Sequence, residues 1–382
     1  MTVHAISTAN GLIRPSHVAL IDGARAEQEY SDFGEFLIEQ SIWAHRDHPM
    51  KYQTYFKSGG RALYLVLPRN ARELALVITR LHAQGLPYRV IGQTSNIMFF
   101  DEIDYGVIIS TANLSRLDVE DRAIRVEAGY SLQDFVRIAI QQGSHGFEGL
   151  EGIPGTVGGG IFMNAGAYGS CISDHLLGVD CIAPDGSQLH LTAAECGFSY
   201  RTSAFRSNDL IIVAARFALN PGDRTAIYRK VEAVHIARHS YQEFVYPTLG
   251  SMISFSGDMY RQMFRKNAFY RNAYGLAKLA LKNPVIKFAM RKRPNNGIFN
   301  ALLRRYISST ASMPDYEMSI KTANTLVNDG RHTTAARLAY MRLVSALVGP
   351  DHHIENELVI DVAISVEREF QAEFAAIRGT AT

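Results

Sequence analysis

The residues of this chain best suited to chemistry are glycines. Gly149-Leu150-Glu151-Gly152-Ile153-Pro154-Gly155-Thr156-Val157-Gly158-Gly159-Gly160 is dense enough in glycine for a backbone to approach a ligand closely and adopt positive φ, and Pro154 stiffens the loop. Asn164-Ala165-Gly166-Ala167-Tyr168-Gly169 continues the run of small residues. A second segment, Gly92-Gln93-Thr94-Ser95-Asn96, follows an expected strand at Tyr88–Ile91 and can turn its N–H groups toward one point, a nest for pyrophosphate oxygens that needs no cationic side chain. Composition alone leaves a structural crossover and a simple turn open for these two segments. Neither is GxGxxG opening a helix after a first strand, nor GxxxxGK[ST], so the dinucleotide fingerprint and the P-loop are excluded. Cys171, Cys181 and Cys196 form no CxxC unit and read as reduced, partly buried thiols, with no metal site expected.

Gly152–Gly159, which reads GIPGTVGG, and Met163–Gly169, which reads MNAGAYG, closely resemble the UDP-N-acetylenolpyruvoylglucosamine reductase family, which makes UDP-N-acetylmuramate for peptidoglycan. The resemblance runs from about Thr54 to Val362 with one large interruption. It implies an α+β chain with a two-part FAD-binding domain of the vanillyl-alcohol oxidase type and a smaller α/β substrate domain. It also implies non-covalent FAD, with NADPH as reductant. Ile91, Gly92, Gln93, Thr94, Ser95, Asn96, Gly152, Ile153, Pro154, Gly155, Thr156, Gly158 and Ala167 fall where the family grips the flavin; Gln93 and Thr94 stand where it has glycines. Asn164, Tyr168, Tyr200 and Asn324 are implied for the substrate. Three residues match the family's chemical positions: Arg201 in Gly197–Phe205, Ser251 in Tyr246-Pro247-Thr248-Leu249-Gly250-Ser251, and, more loosely, Glu357 in Ile354-Glu355-Asn356-Glu357-Leu358.

Those residue types suit the reaction. Hydride added to the terminal carbon of an enolpyruvyl ether pushes charge onto the carboxylate. A guanidinium such as Arg201 binds that carboxylate bidentately. A hydroxyl such as Ser251 then protonates the adjacent carbon, provided its surroundings tune it, and Glu357 orients or polarises the neighbouring groups. Outside the resemblance, the structural readings are favoured: Arg201 as an ion-pair partner, Ser251 as a helix cap and Glu357 as a solvated acid.

The elements that must carry these residues are legible. Strands are expected at Ala62–Leu67, Tyr88–Ile91, Val107–Ile109, Ala123–Ala128, Leu177–Ile182, Gln188–Thr192, Leu210–Leu219 and Leu358–Ser365. Helices are expected at Glu27–Gln40, from Asn70 to His82, at Leu132–Gln142, Thr225–His239 and Thr333–Leu347. The length implies more than one domain: an N-terminal extension over 1–49, the FAD domain over 50–220 and the substrate domain over 221–370.

After Ser251 the chain leaves the family pattern: Met252-Ile253-Ser254-Phe255-Ser256 stands where a lysine and an asparagine are usual. Residues 256–310 follow, with many arginines and lysines, interspersed tyrosines and phenylalanines and one acid, Asp258; Pro294–Gly297 splits them into two expected helical parts. A cationic lid over an anionic substrate, an amphipathic element for anionic lipid or a partner, and a solvated insertion all remain open for this segment. The departure keeps a diverged enzyme acting on another unsaturated acid as an alternative, along with a flavin-binding protein that has lost catalysis. The formal net charge of +2 gives no argument for a nucleic-acid partner, and no nucleic-acid module is recognisable. No apolar stretch reaches about 18 residues and the N-terminus lacks a signal-type apolar core, so neither a membrane span nor a signal peptide is expected. The resemblance implies a cytoplasmic monomer binding a small anionic UDP-sugar.

Overall fold

The computed structural model describes residues 23–289, 297–310, 318–319, 321–350 and 352–379. The expectations placed on the N-terminal stretch before Gly23, on Arg291, Lys292 and Arg293, and on the Pro294–Asn296 break lie outside the described residues.

Two five-stranded sheets form the frame. In the first, Arg61–Val66 and Tyr88–Ile91 both run parallel to Ile103–Ser110, while Ala44–Pro49 pairs antiparallel with Arg61–Val66 at the edge. The second is antiparallel, in the order Gln188–Thr192, Leu176–Ile182, Ile211–Ala218, Ala123–Glu127, Leu117–Val119. Strand alternation buries both faces of the first sheet. Tyr64, Val66, Val107 and Ile109 pack on one face against the helices Gly23–Glu39 and Ala71–Gln84. Leu65, Tyr105 and Ile108 enter a second core built largely from residues after Leu249. The second sheet has its own core with the helices Leu132–Gln141 and Val157–Phe162. Ile182, Ile211 and Val213 of that sheet also enter the core of the first sheet and its two helices.

Helix signals read from sequence hold to within a few residues. Asn70 caps Ala71–Gln84 by accepting from Glu73 N, and Leu74, Val77, Ile78 and Leu81 form its buried stripe. Gly34 lies inside the first helix because a Cβ there would stand 2.2 Å from Tyr64 Oη, so the packing demands its absence.

Three expectations are corrected. The glycine-rich loop contains a short helix, Val157–Phe162, capped by Thr156 Oγ1 accepting from Gly159 N; glycine's poor helix propensity hid it. The expected strand Leu358–Ser365 is two strands. Glu357–Val359 pairs in parallel with Ile97–Phe99, and Ala363–Val366 joins the first sheet antiparallel to Ile103–Tyr105. Glu357–Val359 is buried throughout, whereas Ala363–Val366 buries only Ala363 and exposes Ser365, so one largely apolar run conceals a change of partner near Asp361. The basic segment holds four described helices rather than two: Met259–Met263, Ala268–Ala280, Pro284–Ala289 and Gly297–Thr310.

His175 supports the glycine-rich loop. It packs on Phe147 with ring centroids 4.6 Å apart, its Nδ1 lies 2.8 Å from Asn220 Nδ2, and a Cβ on Gly146 would collide with its ring. Burial holds its pKa below the ordinary 6.5. The unfolded chain therefore binds a proton that the folded imidazole refuses, and stability falls as pH drops through about 6.5, levelling off below the folded pKa. The melting temperature should decline between neutral and mildly acidic pH, and His175→Gln should remove part of that decline. Identical pH profiles for the two proteins would exclude this role.

Candidate functional site

A cavity of about 970 Å³ runs between the two glycine-rich loops and on to the segments carrying Ser251 and Glu357. Every residue expected at the flavin lines it: Ile91 to Asn96, Gly152 to Thr156, Gly158 and Ala167. The loops are laced together. Ser95 Oγ donates to Pro154 O at 2.8 Å, and Gly155 N donates to Gln93 Oε1 at 3.0 Å. Gly92 permits this approach, since a Cβ there would lie 2.2 Å from Thr156 Oγ1. The two departures from glycine are absorbed. Gln93 supplies the cross-link, and Thr94 takes a left-handed φ of 59° while its Oγ1 accepts from Tyr55 N at 2.8 Å.

Left-handed backbone gathers here. Seven described non-glycine residues have positive φ, and four of them, Thr94, Asn164, Tyr168 and Arg201, are residues expected at the site. Such conformations cost on the order of 1 kcal/mol each and persist only where neighbours impose them. Arg201 sits at the tip of a tight turn closed by mutual Ser199–Thr202 hydrogen bonds, and Asn164 Nδ2 pins that turn by donating to Ser199 O at 2.9 Å. Ser203 Oγ fastens the next residues to Phe162 O.

Arg201 lines the cavity. Its Nη1 donates to Gly166 O at 3.0 Å, and its Nε lies 3.7 Å from Glu355 Oε2, buried and without a hydrogen bond. Arg238, from the last turn of Arg224–Tyr241, also lines it. One Nη donates to Gly149 O, the guanidinium lies over the Tyr168 ring, and its Nε too is buried without a hydrogen bond. Burial lowers the Arg238 pKa, as expected for a cation held short of partners. Two guanidiniums with unspent donors on one cavity suit an anionic ligand.

Ser251 ends the strand Thr248–Ser251, half-buried on the cavity wall. Asn324 fixes that segment: its Oδ1 accepts from Ile253 N at 2.9 Å and its Nδ2 donates to Ile253 O at 2.6 Å. Glu357 is buried between two arginines. Oε1 lies 2.6 Å from Arg206 Nη1, Oε2 lies 3.0 Å from Arg89 Nη2, and Arg89 also reaches Asp361 at 2.9 Å. Glu357 N donates to Asn96 O, and Asn96 Nδ2 donates to Glu355 O, so the Glu357 strand is spliced onto the first loop.

The structure thus brings Arg201, Ser251 and Glu357 to one cavity. Asn164 Nδ2 and the Asn324 amide hold the segments that carry Arg201 and Ser251, and Asn164 Oδ1 is buried without a hydrogen-bond partner. Tyr200 is exposed, with its hydroxyl 2.8 Å from Ser254 Oγ and 3.1 Å from Glu355 Oε1. Tyr168 Oη donates to Tyr241 Oη at 3.1 Å, and burial raises its pKa to about 12. Sequence reasoning missed Arg89, Arg206, Arg238 and Glu355. The first three are isolated basic residues on ordinary elements. Only Glu355, two residues before Glu357, carried a local signal.

The FAD binding domain family matches residues 62–192. UDP-N-acetylenolpyruvoylglucosamine reductase of Streptococcus agalactiae serotype III is 39% identical over 206 residues, 54% of this chain and 69% of that protein. The Streptococcus pneumoniae (strain Hungary19A-6) protein of the same name is 37% identical over 204 residues, 53% of this chain and 68% of that one. The solved UDP-N-acetylenolpyruvylglucosamine reductase from Thermus caldophilus shares the fold: TM-score 0.57 and 23% identity over 84% of this chain and 99% of that one.

Replacing Arg89 by methionine leaves Glu357 and Asp361 buried beside a vacated cation. A loss of about 3–5 kcal/mol is expected from urea unfolding. A loss under about 1 kcal/mol would mean that the cluster behaves as a solvated surface pair.

Proposed function

The chain belongs to the UDP-N-acetylenolpyruvoylglucosamine reductase family, and from that membership we propose that it reduces the enolpyruvyl double bond of UDP-N-acetylglucosamine enolpyruvate to give UDP-N-acetylmuramate for peptidoglycan. The observation that carries this reading is the convergence of Arg201, Ser251 and Glu357 on a cavity whose wall includes the two laced glycine-rich loops. The cavity's volume lies in the range of cofactor sites. The bare backbone of Gly92, Gly152, Gly155 and Gly158, with left-handed turns at Thr94 and Gly152, suits the phosphates and ring system of FAD. FAD, when bound, supplies the hydride it has taken from NADPH.

The chain's own residues do the rest. Arg201, with a buried Nε to spare, binds the substrate carboxylate and stabilises the charge that reaches it. Ser251 gives its proton to the carbon next to that carboxylate. Glu357 has both oxygens held by arginines, so it acts as a fixed anion that keeps Arg206 and the loop in place rather than as the proton donor. Arg238 adds a second cation for the diphosphate or carboxylate of the UDP-sugar. The reading carries with it a monomeric enzyme of the cytoplasm; no described helix is long and apolar enough to cross a membrane.

The test separates the half-reactions. The purified yellow protein is reduced with NADPH and mixed anaerobically with UDP-N-acetylglucosamine enolpyruvate. Rapid flavin reoxidation is expected. A reduced flavin that this substrate leaves untouched points to another unsaturated acid. Ser251→Ala should leave reduction by NADPH nearly intact and slow substrate reduction by about 10²–10⁴-fold. Equal loss in both half-reactions removes Ser251 from the acid role.

A further inference from the structure

The helix Ala268–Ala280 has three separate stripes at 3.6 residues per turn. Tyr270 and Tyr274, with the partly buried Ala277 and Leu281, pack it onto the protein. Phe269, Leu276 and Leu279 form a second stripe that is 64–71% exposed, and Val285 on the next short helix is 75% exposed. Arg271, Lys278 and Lys282 form the third stripe, between the other two. A soluble surface carries single exposed apolar residues routinely; a row of large ones on a docked helix is a binding surface.

The charge around this row is one-sided. From Ser256 to Lys282 the chain has six basic residues and one acid, Asp258. That acid is already engaged by Lys278 and Tyr274. Phe269, Leu276, Leu279 and Val285 are not among the residues lining the cavity, so the stripe is separate from the candidate site.

We propose that this stripe seats the protein on an anionic lipid surface. Phe269, Leu276 and Leu279 enter the boundary between headgroups and acyl chains. Arg271 and Lys282 lie at headgroup level, because the basic stripe separates the apolar row from the face packed on the protein. The two Tyr anchors give the helix a fixed height. No described helix spans a membrane, so the attachment is peripheral and reversible. A second copy of the chain fits the row less well, since pairing this surface with itself would bring like basic stripes together.

The experiment uses the full-length, FAD-loaded protein and flotation with two kinds of vesicle: pure phosphatidylcholine, and phosphatidylcholine with about a third phosphatidylglycerol. Flotation with the anionic vesicles only, weakened by salt, is expected. Leu276→Glu combined with Leu279→Glu should lower partitioning at least about tenfold, since it places two charges in the apolar boundary. Arg271→Ala should lower it about fivefold. Reductase activity in solution should stay unchanged in all variants. Absence of binding to anionic vesicles overturns the proposal. So does a dimer in sedimentation velocity that the double glutamate variant dissociates while vesicles capture neither protein.

Discussion

One splice holds the candidate site together: the parallel pairing of Glu357–Val359 with Ile97–Phe99, locked by a carboxylate buried between Arg89 and Arg206. Glu357 is 268 residues from Arg89 in the chain, yet each of its oxygens meets a guanidinium at 3.0 Å or less. A buried carboxylate is tolerated only when it is paired, and a buried guanidinium likewise, so the Glu357 strand cannot shift without leaving an uncompensated buried charge. Asn96 and Asn356 reinforce the splice with side-chain hydrogen bonds between the two segments and to Leu249. The loop expected to hold phosphate and the strands expected to hold substrate are thereby fixed to each other.

From this splice the other parts take their positions. The Ser251 strand pairs with Thr325–Val327, and the next strand, Ile253–Ser254, pairs with His353–Ile354 while Ile253 N donates to Asn324 Oδ1. The Arg201 turn is tied to the glycine-rich loop through Asn164 and Ser203. Each chemical residue therefore sits on a short, strained or edge segment whose backbone is held by a neighbouring amide or hydroxyl. The strain is local and its restraints are side-chain hydrogen bonds, an arrangement that pre-orients groups before any ligand arrives.

Residues 252–310, where the chain leaves the pattern of the family it resembles, are used in two ways. Met252–Ser254 borders the site as an edge that contacts Tyr200 through Ser254 Oγ and Glu355 N through Met252 O. The helices from Met259 onward build outward: Tyr260, Phe264, Tyr270, Tyr274 and Tyr306 stack among themselves and face the core, while the other sides of Ala268–Ala280 are left to solvent. An aromatic face inward and an apolar-basic face outward give this insertion its own packing logic, separate from the cavity.

The amino-acid sequence by itself determined the elements and the identity of the loops. Period-two and period-3.6 apolar patterns placed most of the longer strands and helices to within a few residues, because burial of one face is a local property of spacing, while short strands such as Ala44–Pro49 and Ile97–Phe99 carried no such pattern. The glycine-rich loops were legible because close backbone approach leaves only glycine at positions such as Gly92. The sequence could not show that the Leu358–Ser365 run changes sheets, since strand partners are set by distant segments and the run is apolar on either side of Asp361. Nor could it show that Gln93 and Thr94 would serve in place of glycine. One needs Gly155 N and the other Tyr55 N, and both donors are supplied by distant segments. The arginines that surround the site were silent for the same reason. An isolated Arg89, Arg206 or Arg238 looks like any surface cation until folding removes its water and decides which carboxylate, carbonyl or ligand must replace it.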